Sequence, residues 1–234
     1  MTSRGTISAI AAQDRGVADT LFGTPRAIAL GGWPGSTHGM SWASQAKFAA
    51  DLEAGAIPDT VRAVMYDPEA WEATPLPEKQ DPVAAMREFA RLAREHGYFV
   101  IITPHPRLVE VPSARRRKQV WESTEAAYLR CEIAAEAARY ADAYETQSQY
   151  LQRDPGRYAE FVSKTAAQAR EANPDVVMLS GLSTHPGYRA TPDMLHAAWR
   201  SVSDVVDGHY LSLARRRLPE VAAAFLRRVA GPEA

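Results

Sequence analysis

Six short apolar runs punctuate the chain, at 26–31, 61–67, 98–103, 141–148, 175–182 and 205–212. Each is short and bounded by turn-forming residues, as strands buried in a parallel sheet are. Between them the apolar period changes from a run to helical spacing. Met86, Phe89, Ala90 and Ala93 mark one face of a helix over 82–96, opened by Asp81-Pro82, an N-cap residue followed by proline in the first turn. Tyr158, Phe161, Val162, Thr165, Ala166 and Ala169 do the same over 156–172. Met194, Leu195, Ala198, Trp199 and Val202 mark a helix after Thr191-Pro192-Asp193, and Leu218, Val221, Ala222, Phe225 and Leu226 a final one. The Ala-rich stretch 120–139 predicts one long helix, and 42–54 a shorter one.

Strand starts fall roughly 30–43 residues apart, about one βα unit each, and no hairpin signal interrupts the alternation. The two ends of the runs differ. Plain segments lead into them (Gly55-Ala56-Ile57-Pro58-Asp59, His96-Gly97, Asn173-Pro174-Asp175). Unusual ones follow: Gly31-Gly32-Trp33-Pro34-Gly35-Ser36-Thr37-His38, Tyr66-Asp67-Pro68-Glu69-Ala70-Trp71, Thr103-Pro104-His105-Pro106, Gln147-Ser148-Gln149-Tyr150, Ser183-Thr184-His185-Pro186-Gly187-Tyr188 and Tyr210-Leu211-Ser212. Parallel α/β folds bind ligands at the carboxyl ends of their strands. An open sheet concentrates such residues at one switch point, whereas here they follow every strand, and neither a dinucleotide fingerprint nor a P-loop occurs. The expected fold is α/β, a TIM-like parallel (β/α) barrel in a single domain over 1–234. It would be reduced to fewer than eight clear strands, with a seventh candidate in Thr6–Ala12.

Composition narrows the function classes. At 234 residues, 46% hydrophobic and 24% charged, with a net charge of −1, the chain has no global bias toward nucleic acid or an anionic membrane. Its one cysteine, Cys131, cannot form an internal disulfide and sits among Leu129, Ile133 and Ala134 as a buried thiol would. The opening Met-Thr-Ser-Arg-Gly-Thr-Ile lacks the apolar stretch of a signal peptide, and no segment is apolar enough to span a bilayer. These features read as a cytoplasmic protein, monomer or homodimer, with a small-molecule substrate.

Carboxylates, amides and aromatics dominate the strand-end segments. Alternation along 141–148 places Glu145, Gln147 and Gln149 on one face. Burying three long polar groups against helices would cost about 1–3 kcal/mol each unless paired, so that face is expected to point into a barrel or its mouth. Asp67 ends the second run, and Glu69 follows it beside Trp71; paired carboxylates next to an aromatic platform suit acid/base chemistry on a sugar. His105, clamped between two prolines, joins Asp67, Glu69 and Glu145 as a candidate catalytic group, and His185 occupies a matching strand end. Gln147, Gln149, Trp71, Tyr66, Trp33, His185, Tyr188, Tyr210 and Arg115 are candidates for substrate binding. Arg115 opens the run Arg115-Arg116-Arg117-Lys118, which offers positive charge to a phosphate, as does Arg215-Arg216-Arg217.

The stretch Val61–Leu213 resembles a group of actinobacterial TIM-barrel proteins of unassigned function. The residues that carry this are Tyr66-Asp67-Pro68-Glu69, the Tyr-Ala-Asp-Ala-Tyr-Glu-Thr-Gln-Ser-Gln run at 140–149, and Gly181-Leu-Ser-Thr184. The resemblance covers about two-thirds of the chain and implies a glycoside-hydrolase-like barrel, with no assigned catalytic residues. The Asp-x-x-Asp-x-Asp-x-Glu signature of family-18 chitinases is missing, so that mechanism does not transfer. Three functions follow as expectations: a glycoside-type hydrolase using carboxylate acid/base chemistry; a lyase or cyclase in which Asp67, Glu69 and Glu145 hold Mg²⁺ while the arginine run holds a diphosphate; and a barrel that binds a small molecule without catalysis.

Overall fold

The computed structural model describes residues 1–112, 116–185, 187, 189–213 and 218–231. They form eight strands: β1 (Thr2–Ser3), β2 (Ile28–Leu30), β3 (Thr37–Trp42), β4 (Ala63–Tyr66), β5 (Phe99–Ile102), β6 (Ala143–Thr146), β7 (Val177–Ser183) and β8 (Gly208–Ser212). The sheet runs β1 through β8 in chain order, with parallel register such as Ala29 beside His38 and Met65 beside Ile101. β8 returns to β1, the Leu211 N–H donating to the Met1 carbonyl. Helices interleave with the strands, giving the α/β, TIM-like (β/α) barrel fold. Among the described residues no helix is long and apolar enough to cross a membrane.

The chain divides into two compact units. The first holds Met1–Gly39, Ser148–Val162 and Ser180–Ala234; the second holds Met40–Gln147 and Ser163–Leu179. β3 and β7 each run from one unit into the other.

In the first unit, α1 (Arg4–Ala11) occupies the stretch where Thr6–Ala12 was the candidate seventh strand. The Ser3 hydroxyl caps the Thr6 N–H at 3.2 Å, and Thr6, Ile7 and Ile10 are buried at helical spacing, so capping and period together override the apolar run. Asp14 likewise caps α2 (Arg15–Phe22), and Thr191 caps α9 (Pro192–Arg200). Arg227 and Arg228 of α10 (Pro219–Val229) pair with Asp14 and Asp193. The two strands missing from the sequence reading are the least apolar: β1 spans two residues, and β3 reads Thr-His-Gly-Met-Ser-Trp.

In the second unit, α3 (Gln45–Glu53) and α5 (Pro82–Glu95) start at the caps Ser44 and Asp81, and α4 (Leu76–Gln80) lies between β4 and α5 in the chain. Phe48 of α3 meets Phe89 of α5 at 4.2 Å between ring centroids, and Phe89 stacks on Tyr66 of β4 at 5.0 Å. The expected single helix over 120–139 is two, α6 (Thr124–Arg130) and α7 (Ile133–Tyr140), because Glu132 takes a left-handed conformation (φ 54°) between them. Arg116 stabilises the break, donating to the freed Cys131 carbonyl and to Glu136 at 2.8 Å. Cys131 itself is buried.

Candidate active site

Strand geometry decides what reaches the site. Successive strand residues point to opposite faces. Tyr66 packs on Phe89 of α5, which turns Asp67 to the face away from the helices. In β6, Tyr144 bonds Tyr128 of α6 at 2.9 Å, and Thr146 bonds Thr165 of α8 (Pro155–Ala172) at 2.9 Å. Glu145 and Gln147 therefore project to the same side as Asp67. β6 ends at Thr146, and a turn closed by Leu151 N–H to the Ser148 carbonyl follows. The expected shared face thus holds for Glu145 and Gln147, while Gln149 falls in the turn, beyond the alternation.

The loops that carry the remaining groups are pinned by a ladder extending beyond the strands. Asp67 N–H donates to the Trp42 carbonyl, Thr103 N–H to Tyr66, and His105 N–H to Pro68. The Glu69 N–H donates to the Thr74 hydroxyl at 2.7 Å, and Thr74 in turn donates to the Ala43 carbonyl.

Within this frame three carboxyls feel one another. Gln147 Nε2 donates to Asp67 Oδ1 at 2.7 Å and to the Thr103 carbonyl at 2.9 Å, which uses both amide hydrogens. Thr103 Oγ1 donates to Glu145 Oε2. Glu145 is only 2% exposed, and its Oε1 has no hydrogen-bond partner; Glu69 Oε2 is also buried without one. Burial raises all three acidities' midpoints. Asp67 is pushed up to about 7, against the pull of the Gln147 amide. Glu145 is pushed up to about 8, opposed by the Thr103 hydroxyl and assisted by the Asp67 charge. Glu69 rises to about 9, burial acting with the charges of Asp67 and Glu145.

His105 lies beside them on the loop after β5. Its Nδ1 accepts from the Arg107 N–H at 3.1 Å, which assigns the ring proton of the neutral form to Nε2. Burial, then the Arg107 charge, lowers its pKa to about 4, so the imidazole is neutral at physiological pH. The half-exposed Trp71 meets it edge-on at 4.8 Å.

The second unit therefore brings together Asp67, Glu69, Glu145, Gln147, His105 and Trp71. Tyr66 is not part of this group: it is fully buried, and its hydroxyl donates to Glu78 Oε2 at 2.8 Å. Thr103 is the group that sequence reasoning missed. Its signal was a β-branched hydroxyl closing an apolar run just before Pro104. The first unit holds Trp33, Gln149, His185 and Tyr210. The Arg15 guanidinium sits 5.2 Å from the Trp33 ring centroid. His185 is exposed, its Nδ1 accepting from the Gly187 N–H. Tyr210 lies within β8 rather than in a strand-end loop. Tyr188, Arg115 and Arg215-Arg216-Arg217 lie outside the described residues. Arg116, the second residue of the basic run, is engaged with Cys131 and Glu136 rather than open to an anion. Among the described residues no group of three or more His, Cys, Asp or Glu side chains has the geometry to hold a metal ion, the set Asp67, Glu69 and Glu145 included.

No family model matches the sequence, and no curated protein matches it. Among solved structures, one similar chain is a protein assigned as an alpha-L-fucosidase from Bacteroides thetaiotaomicron, at 10% identity and a TM-score of 0.49, covering 77% of this chain and 59% of that one. A second is a fucosyltransferase mutant of the alpha-L-fucosidase AlfC, at 9% identity and a TM-score of 0.33, covering 81% of this chain and 78% of that one. This chain thus spans less than two-thirds of the length of the first.

Proposed function

We propose that this protein is a hydrolase of glycoside type, acting on a small polar substrate by carboxylate acid/base chemistry. The observation that carries the reading is a buried trio of carboxyls whose protonation midpoints are spread around and above neutrality, with a free oxygen on Glu145 and on Glu69. Two carboxyls of unequal acidity are what bond cleavage between sugar units needs: one protonated, one ionised. Glu145, protonated at neutral pH and fixed through Oε2 by Thr103, donates its proton to the departing glycosidic oxygen as the C–O bond breaks. Asp67, aimed by the Gln147 amide that favours its ionised form, meets the sugar carbon as nucleophile or through a water that it deprotonates. Trp71 offers a face for the ring, and neutral His105 donates through Nε2.

Turnover of a panel of chromogenic aryl glycosides tests this. Asp67→Asn and Glu145→Gln should each lower kcat by about 10²–10⁴-fold while the melting temperature holds. Unchanged turnover in both variants, or no glycoside cleaved by the unmodified protein, would overturn the proposal.

A further inference from the structure

Several carboxylates elsewhere in the second unit come with cations. Glu136 takes Arg116 and Arg139, Glu110 takes Arg107 and the Thr124 hydroxyl, and Asp51 takes Lys47 and the Trp42 indole. The trio differs. Among the described residues no cationic group is a charge partner of Asp67 or Glu69. Glu145 is 98% buried by its 2% exposure, yet Oε1 accepts nothing, and Glu69 Oε2 repeats the deficiency. Asp67 and Glu69 keep part of their surface open, and Trp71 stands 49% exposed on the same loop as both.

Resting on the acid/base reading of this site, we infer that its substrate carries a protonated amine or a comparable cationic group, received by the carboxylates of Asp67 and Glu69 while Glu145 keeps its proton. An ammonium has three donors and no acceptor, which matches the Glu69 oxygen left without a partner. Charge-assisted bonds to carboxylates are the strong kind, and an aromatic face beside them adds attraction for a cation. A phosphate or carboxylate in the same place would meet like charge with no arginine or lysine to offset it. A bound cation favours the ionised forms of Asp67 and Glu69, so binding expels protons from these two into solvent, while Glu145 keeps the proton it donates.

The test is a charge series on one sugar ring: D-glucosamine, D-glucose and D-glucuronate, titrated calorimetrically near neutral pH in two buffers of different ionisation enthalpy. The amine should bind roughly tenfold or more tightly than D-glucose, with proton release, and D-glucuronate most weakly. Glu69→Gln should remove the preference; Asp67→Asn serves if that variant does not fold. Equal binding of D-glucose, binding of the amine without proton release, or no binding by any of the three overturns the inference. Cleavage of neutral aryl glycosides without amine preference sinks the cationic inference alone. Amine preference without cleavage of any aryl glycoside, amino-sugar glycosides included, sinks the hydrolase reading alone.

Discussion

Two buried glutamates of the second unit show opposite treatments of the same side chain. Glu78, 8% exposed, accepts from Ser44 Oγ at 2.9 Å, from the N–H groups of Gln45 and Ala46 at the start of α3, and from the Tyr66 hydroxyl. Both of its oxygens are used, and it closes the amino end of α3 onto β4. Glu145, more deeply buried, has one donor, Thr103, and an oxygen with none. A buried carboxylate whose acceptors are filled holds structure together. One whose acceptors are empty costs folding free energy, and such a cost is retained where a ligand removes it.

The largest effect should come from breaking the satisfied member. Glu78→Ala leaves two helix-start N–H groups and a buried phenol without their acceptor, and should cost about 3–5 kcal/mol in urea denaturation. Glu145→Gln should leave stability equal or raised near neutral pH. Comparable losses in the two variants would remove the distinction between them.

The comparison sharpens with pH. Glu145 holds its proton up to about pH 8 in the folded chain, against an ordinary 4.5. Unfolding therefore releases a proton between those values, and stability falls as pH rises through that window. The advantage of Glu145→Gln over the unmodified protein should grow steadily from pH 4.5 to 8, as read by denaturation at each pH. A constant difference would contradict the raised midpoint.

An opposite and smaller slope belongs to the first unit. His209 Nδ1 bonds Ser180 Oγ at 2.9 Å, Ser180 accepts from Tyr158, and burial lowers the His209 pKa to about 4 from an ordinary 6.5. Its contribution is intact above about pH 6.5 and is lost as pH falls toward 4, because the unfolded chain takes up the proton first. His209→Asn should flatten the acid limb of the stability curve and leave the limb between 6.5 and 8 unchanged.

The smallest effect is expected at Trp71. Trp71→Ala removes a half-exposed face, so KM should rise about three- to tenfold with kcat changed less. A loss confined to kcat would assign Trp71 to positioning His105 instead.

Much of this was legible in the chain. Runs such as Ala63–Tyr66 and Val177–Ser183 are apolar enough to announce buried strands, and Asp81-Pro82 announced its helix. β1 and β3 were not legible, because two residues carry no period and Thr-His-Gly-Met-Ser-Trp lacks an apolar run. The break between α6 and α7 was also hidden, since it depends on Arg116 capping Cys131 from outside the helix. At the site, Asp67, Glu145 and Gln147 followed from strand ends and alternation. The roles of Thr103 and of Glu78 did not, because each is fixed by a partner about thirty or more residues away in sequence.

The most direct test is a pH titration of the carboxyl carbons by ¹³C NMR in the unmodified protein and in Glu145→Gln. The account predicts three side-chain carboxyls titrating near or above pH 7, with the Glu69 midpoint falling once the Glu145 charge is removed. Midpoints for Asp67, Glu69 and Glu145 all within the ordinary carboxyl range, or a Glu69 midpoint indifferent to Glu145→Gln, would contradict it.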